Sequence, residues 1–146
     1  MKLPEIKIGK KVITFKLTVD RAIKLKKEIG KNPLTAILNM YGNMDTENKT
    51  MDLAAFDLDE ELMFATLYHA SQYLPKQQMD RQEFNDLMQK FLDEEVVTET
   101  DEEIITEYRS IFTDILPIFV EIATQCGYIP RQKTVVKKGE DKEKNE

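Results

Sequence analysis

Residues 100–126 read TDEEIITEYRSIFTDILPIFVEIATQC, and their reading decides how much of this chain is helix. Ile104, Ile105, Tyr108, Ile111, Phe112, Ile115, Leu116, Phe119, Ile122 and Ala123 recur at the three- and four-residue spacing of one helix face. Thr100 followed by Glu103 resembles a capping box, and Gly127 supplies a stop. The spacing therefore predicts the longest helix of the chain, from Thr100 to about Cys126. Pro117 lies inside it. A proline there removes one helical hydrogen bond and should kink the helix or split it in two.

On the N-terminal side of this stretch, two more helices carry the same start signal. Asp80 with Glu83 opens a helix through about Leu92, on which Phe84, Leu87, Met88, Phe91 and Leu92 share one face. Asp57 with Glu60 opens LDEELMFATLYHASQYL, which Pro75 stops. Asn32-Pro33 is an N-cap and first-turn pair that opens a short apolar helix through Leu34, Ile37 and Leu38, toward Tyr41. A further helix starts near Thr18 to Asp20 and ends at Gly30, which suits a left-handed cap. Between these helices, GNMDTENKT reads as a polar loop.

The first residues keep a different period. Ile6 and Ile8 alternate with Lys7, and Val12, Ile13, Phe15 and Leu17 follow with Thr14 and Lys16 between them, with Gly9-Lys10 as the turn. This is a β-hairpin, too small to be stable alone, so it should lie on helices. At the other end, residues 131–146 have little besides Val135 and Val136 to bury and read as a disordered charged tail. The expected fold is mainly α (α+β): an N-terminal hairpin packed on about five helices, in one globular domain over residues 1–130.

A chain of 146 residues can bury a core without disulfides or metal. Cys126 is the lone cysteine, and nothing in its use suggests an oxidising compartment. MKLPEIKIGKK lacks the apolar core of a signal peptide, and no apolar run is long enough to span a bilayer. The expected location is the cytoplasm. The net charge of −6 conceals an asymmetry: residues 1–31 carry +7, and residues 45–107 carry −14. The two blocks can attract each other within one fold, or they can offer a partner two faces of opposite sign.

Catalytic signatures are missing from the sequence. One His and one Cys, His69 and Cys126, do not make a zinc site. Asp57, Asp59 and Glu61 imitate the start of a calcium loop, but Leu62 and Tyr68 stand where Gly and Glu are needed. Ser71 is two residues from His69, and on a helix that spacing points the two side chains apart. No phosphate-binding glycine loop or nucleophile elbow occurs. The carboxylate run from Asp93 to Glu103 could supply a glycosidase pair, but it reads more simply as a solvated face. No cofactor, metal or catalytic residue is expected.

Binding is the better supported role. The chain holds seven methionines, a residue that suits adaptable surfaces. Met63 and Met88 also fit a core, whereas Met44 and Met51 flank the polar loop. The apolar face of Phe84, Leu87, Met88, Phe91 and Leu92 either packs inside the fold, the simpler reading, or forms a groove for a partner segment; with Met44 and Met51 these are the candidate partner-binding residues. The alternative is a small regulatory or nucleic-acid-binding protein that uses Lys7, Lys10, Lys11, Lys16, Arg21, Lys24, Lys26 and Lys27. Acidic net charge and the lack of a nucleic-acid motif weigh against it, and lysines on a strand edge also discourage unwanted pairing.

The hairpin IKIGKKVITFKL, the lysine-rich RAIKLKKEIG, the acidic amphipathic helices and the charged tail together resemble a family. They look like tail assembly chaperones of long-tailed (siphovirus-type) phages or phage-like elements of Gram-positive hosts. The resemblance covers roughly residues 5–130 and is one of layout, since the family has no diagnostic motif. It implies a non-enzymatic protein that coats the tape-measure protein during tail assembly, contacts the major tail-tube protein, can associate with itself, and is absent from the mature virion. It also implies a longer form made by ribosomal frameshifting, with which Lys137-Lys138-Gly139 is compatible as an A-rich slippery site.

Overall fold

The computed structural model describes residues 2–31, 37, 44–45, 50–51, 58–129 and 133–138. Strands β1 (Glu5–Ile8) and β2 (Lys11–Thr14) form the expected hairpin, with Ile6 opposite Ile13 and Lys7 opposite Val12. Gly9 takes a φ of 60° in the two-residue turn, a value that L side chains seldom adopt. The alternation works as a sorting device: Ile6, Ile8, Ile13, Phe15 and Leu17 are buried, while Lys7 and Val12 face out.

Helix α1 (Val19–Ile29) starts at the Thr18 hydroxyl, which accepts from the Arg21 N–H, and ends at Gly30 with a φ of 66°. The short ladder of β3 (Met44–Asp45) and β4 (Thr50–Met51) comes next. Ile37 is helical and buried, but the rest of the expected helix from Asn32-Pro33 lies outside the described residues. Helix α2 (Glu60–Ser71) is capped by Asp59, whose carboxylate accepts from the Leu62 N–H at 3.0 Å. The expected cap, Asp57, also lies outside the described residues. With Asp59 as cap, the helix buries Leu62, Met63, Ala65, Thr66 and Ala70. The helix stops at Ser71, before Pro75, and Pro75–Gln77 forms a 3-10 turn. Helix α3 (Arg81–Leu92) starts and ends as expected, with Asp80 accepting from the Glu83 N–H at 2.8 Å.

The long helix from Thr100 is the main correction. Residues 95–108 form a second hairpin, β5 (Glu95–Glu99) and β6 (Ile104–Tyr108), with Val97 opposite Thr106 and Thr98 opposite Ile105. Thr100 and Glu103 do interact, but they close the hairpin loop. The Thr100 N–H donates to the Glu103 carbonyl at 2.9 Å, and the Glu103 N–H donates to the Thr100 hydroxyl at 3.1 Å. A hydroxyl that accepts from the third N–H onward is the same local motif at a helix start and in a turn. The flanking residues decide between the two. Val96-Val97-Thr98 and Ile104-Ile105-Thr106 are β-branched triplets, which favour the pleated backbone.

Helix resumes only at Ser110. Its hydroxyl accepts from the Thr113 N–H, and its own N–H donates to the Asp114 carboxylate at 2.8 Å. A π-helical turn, Ile111–Ile115, then leads into α4 (Leu116–Gln125). Pro117 therefore sits in the first turn of an α-helix, where its missing N–H is tolerated, and the expected split falls just before it. The described residues thus hold four α-helices and three antiparallel strand pairs, an α+β arrangement.

The core lies between the inner face of β1–β2 and the helices. Phe15, Leu25, Leu62, Leu67, Phe84 and Phe119 are fully enclosed in it. Gln77 fastens the hairpin to the helices. Its side-chain amide accepts from the Thr14 N–H at 3.0 Å and donates to the Thr14 carbonyl at 2.9 Å. It acts as one peptide unit of a third strand. The same Nε2 donates to the Ser71 carbonyl at 2.8 Å. That carbonyl would look to residue 75 for its helical donor, and Pro75 has no N–H to give.

Candidate interaction surfaces

The β5–β6 hairpin is an arm. All ten of its strand residues are exposed, and its two strands pair only with each other. Val97 is 57%, Ile104 68% and Tyr108 73% exposed, values foreign to a packed sheet. Val96 and Ile105 add to the apolar surface on the opposite face. Around these side chains stand Glu95, Glu99, Asp101, Glu102, Glu103 and Glu107, none of which makes an ion pair among the described residues. An exposed ribbon of this kind leaves backbone donors and acceptors on its outer edges.

The root of the arm is held firmly. Glu94 accepts from the Gly9 N–H at 3.1 Å and lies 3.5 Å from the Arg109 guanidinium. Arg109 in turn reaches Asp114 at 3.6 Å and stacks 4.3 Å above the Phe91 ring. The arm is therefore anchored to the first hairpin, to α3 and to the start of the last helix. Its acidic residues beyond Glu94 do not fold back onto the lysines of residues 1–31. The segregated charge is partly joined within the fold, where Lys31 pairs with Asp59, and partly left on the arm, whose carboxylates from Glu95 to Glu107 pair with no lysine among the described residues.

A second surface is a groove of about 390 Å³ between α2 and α3, with Phe64, Met88, Leu92 and Ile111 among its walls and Glu60 and Arg81 at its rim. Two of the candidate partner-binding residues, Met88 and Leu92, contribute to it. Phe84, Met88 and Phe91 are buried, Phe84 edge-on to Tyr68 at 5.5 Å, while Leu87 and Leu92 are half-buried. The face from Phe84 to Leu92 is thus mostly core. Met44 and Met51 pair in register across the β3–β4 ladder, and their side chains lie outside the described residues. The arm's apolar residues were not among the expected partner-binding set. The signal that could have found them is the pair of β-branched triplets flanking a Thr-x-x-Glu turn.

His69, Glu28 and Arg81 form a partly buried polar cluster. His69 is buried, and its Nε2–H donates to Glu28 at 3.3 Å, because a carboxylate can only accept. Arg81 also holds Glu28, at 3.1 and 3.2 Å, and lies 4.9 Å over the Tyr68 ring. Burial holds the His69 pKa below the usual imidazole value, against the pull of Glu28 in the other direction. Ser71 Oγ donates to the Tyr68 carbonyl and accepts from Gln72, turned away from the imidazole. Cys126 is half-buried at the end of α4. Among the described residues, no three His, Cys, Asp or Glu side chains gather to hold a metal ion, and no helix is long and apolar enough to cross a membrane. Of the tail expected at residues 131–146, the described residues 133–138 are exposed and outside helix and strand, and the others lie outside the described set. Comparison with family models, with curated proteins and with solved structures returned no match.

Proposed function

We propose that this chain is a non-enzymatic assembly chaperone that works by binding other proteins. Its client, as the resemblance implies, is the tape-measure protein of a long-tailed phage or phage-like element. The tail-tube protein is a second partner, and the chaperone acts in the host cytoplasm and is absent from the mature virion. One observation carries the reading: an arm anchored at its root and exposing Val97, Ile104 and Tyr108 among carboxylates. Exposed apolar surface of this kind is costly unless a partner covers it, and the surrounding charge keeps the unbound protein soluble. The groove beside Met88 offers a second place for an apolar segment.

Co-expression with the tape-measure protein of the same operon tests the reading. The client should move from the insoluble to the soluble fraction and co-purify with the chain. A client that remains insoluble removes the proposal. The regulatory or nucleic-acid-binding alternative draws on the exposed Lys7, Lys10, Lys11, Lys16, Lys26 and Lys27, which make no ion pair among the described residues. It requires salt-sensitive retention of DNA or RNA, and it fails if none is retained at low salt.

A further inference from the structure

We propose that the β5–β6 arm of one copy takes residues 133–138 of a second copy as an added strand. The arm needs a partner of a definite kind. A two-stranded ribbon is marginal alone, and a third strand satisfies one free edge while covering apolar side chains. The partner should have an uncommitted backbone, β-branched side chains and basic charge, to match the edge, the Val and Ile side chains and the unpaired carboxylates. Residues 133–138, Lys-Thr-Val-Val-Lys-Lys, meet all three requirements. Their backbone is in no helix or sheet, so its donors and acceptors are not spent in secondary structure. Val135 is 74% and Val136 61% exposed, and the lysines make no ion pair among the described residues.

The lysine-rich face of α1, with exposed Val19 and Ile23, has the right charge but the wrong backbone. Its N–H and carbonyl groups are already spent inside the helix, so it can give the ribbon edge nothing. Within one copy, the arm and residues 133–138 are both exposed, so they do not cover each other. A second copy brings them together. If each copy lends its segment to the other, the exchange closes as a two-fold dimer; if the lending runs one way, it continues as a chain of copies. This self-association is a property of the protein alone and is independent of which client it serves.

The test uses the full-length protein alone, by sedimentation over a range of concentration and salt, with hydrogen exchange on the same samples. Self-association is expected, weakening as salt rises, with amide exchange slowed at Val135, Val136 and on the arm as concentration increases. Changing both Val135→Asp and Val136→Asp should leave a folded monomer with a fast-exchanging arm. Lys137→Glu with Lys138→Glu should weaken association by about tenfold, and adding Glu99→Lys with Glu107→Lys should restore it. A protein that stays monomeric at every concentration overturns the proposal. So does association that survives the double aspartate change, or slowed exchange on α1 in place of the arm.

Discussion

Replacing Gln77 with Leu tests whether one buried amide holds the first hairpin onto the helices. The side chain makes four hydrogen bonds: to the Thr14 N–H at 3.0 Å, the Thr14 hydroxyl at 3.2 Å, the Thr14 carbonyl at 2.9 Å and the Ser71 carbonyl at 2.8 Å. Leucine fills the space but leaves three backbone groups without a partner. The Thr14 hydroxyl keeps Tyr73 at 2.6 Å. A buried backbone group left unsatisfied costs about 1–3 kcal/mol, so three of them cost about 4 kcal/mol once partial hydration is allowed for. Against a total stability of about 5–15 kcal/mol, that is a large fraction. For a chain of this size it corresponds to a melting temperature lower by roughly 12 °C. Urea unfolding followed by circular dichroism reads the difference directly. Gln77→Glu separates shape from hydrogen bonding. It keeps an acceptor for the Thr14 N–H but sets a carboxylate against two carbonyls, so it should be least stable at neutral pH and recover on acidification. A leucine variant within about 1 kcal/mol of the parent refutes the reasoning, because it would mean that water replaces the amide at no cost.

Two further predictions rest on single groups. His69 is buried with a lowered pKa, so the folded state binds fewer protons than the unfolded state just below pH 6.5. Its contribution to stability is complete above that value and is lost as pH falls through the folded pKa. His69→Gln should flatten this part of the stability profile when urea midpoints are compared from pH 7.5 down to 5; an unchanged profile assigns the acid sensitivity to other groups. Asp80 caps α3 from an exposed position, and Asp80→Ala should cost about 1 kcal/mol, near 3 °C in melting temperature, while Asp80→Asn retains most of it. Equal losses in the two variants would show that charge and not the cap hydrogen bond is responsible.

The candidate surface was legible only in part. The carboxylates of residues 93–107 stand out in the sequence, but their apolar neighbours share the spacing of a helix face. Ile104, Ile105 and Tyr108 keep helical spacing with Ile111 and Ile115, and that periodicity records which residues are apolar without recording what covers them. Helix α3 was legible because its cap, its apolar stripe and its end all act within a few residues of one another. What the stripe packs against was not, and the structure commits Phe84 and Phe91 to the core.

By itself the sequence determined the elements whose causes are local. The β1–β2 hairpin arises from alternation and a glycine turn, α1 from the Thr18 and Gly30 caps, and α3 from Asp80 and its apolar face. The β5–β6 turn and the Asp59 cap of α2 are equally local, but the helical spacing from Ile104 to Ile115 and the competing Asp57-Glu60 pair mask them. Tertiary structure decided that Gln77 and His69 are interior. The reason is range. A cap or a turn is settled by hydrogen bonds across three or four residues, so its signal sits in the sequence where it acts. Gln77 meets Thr14 across 63 positions and His69 meets Glu28 across 41, and no local pattern can record a partner that distant.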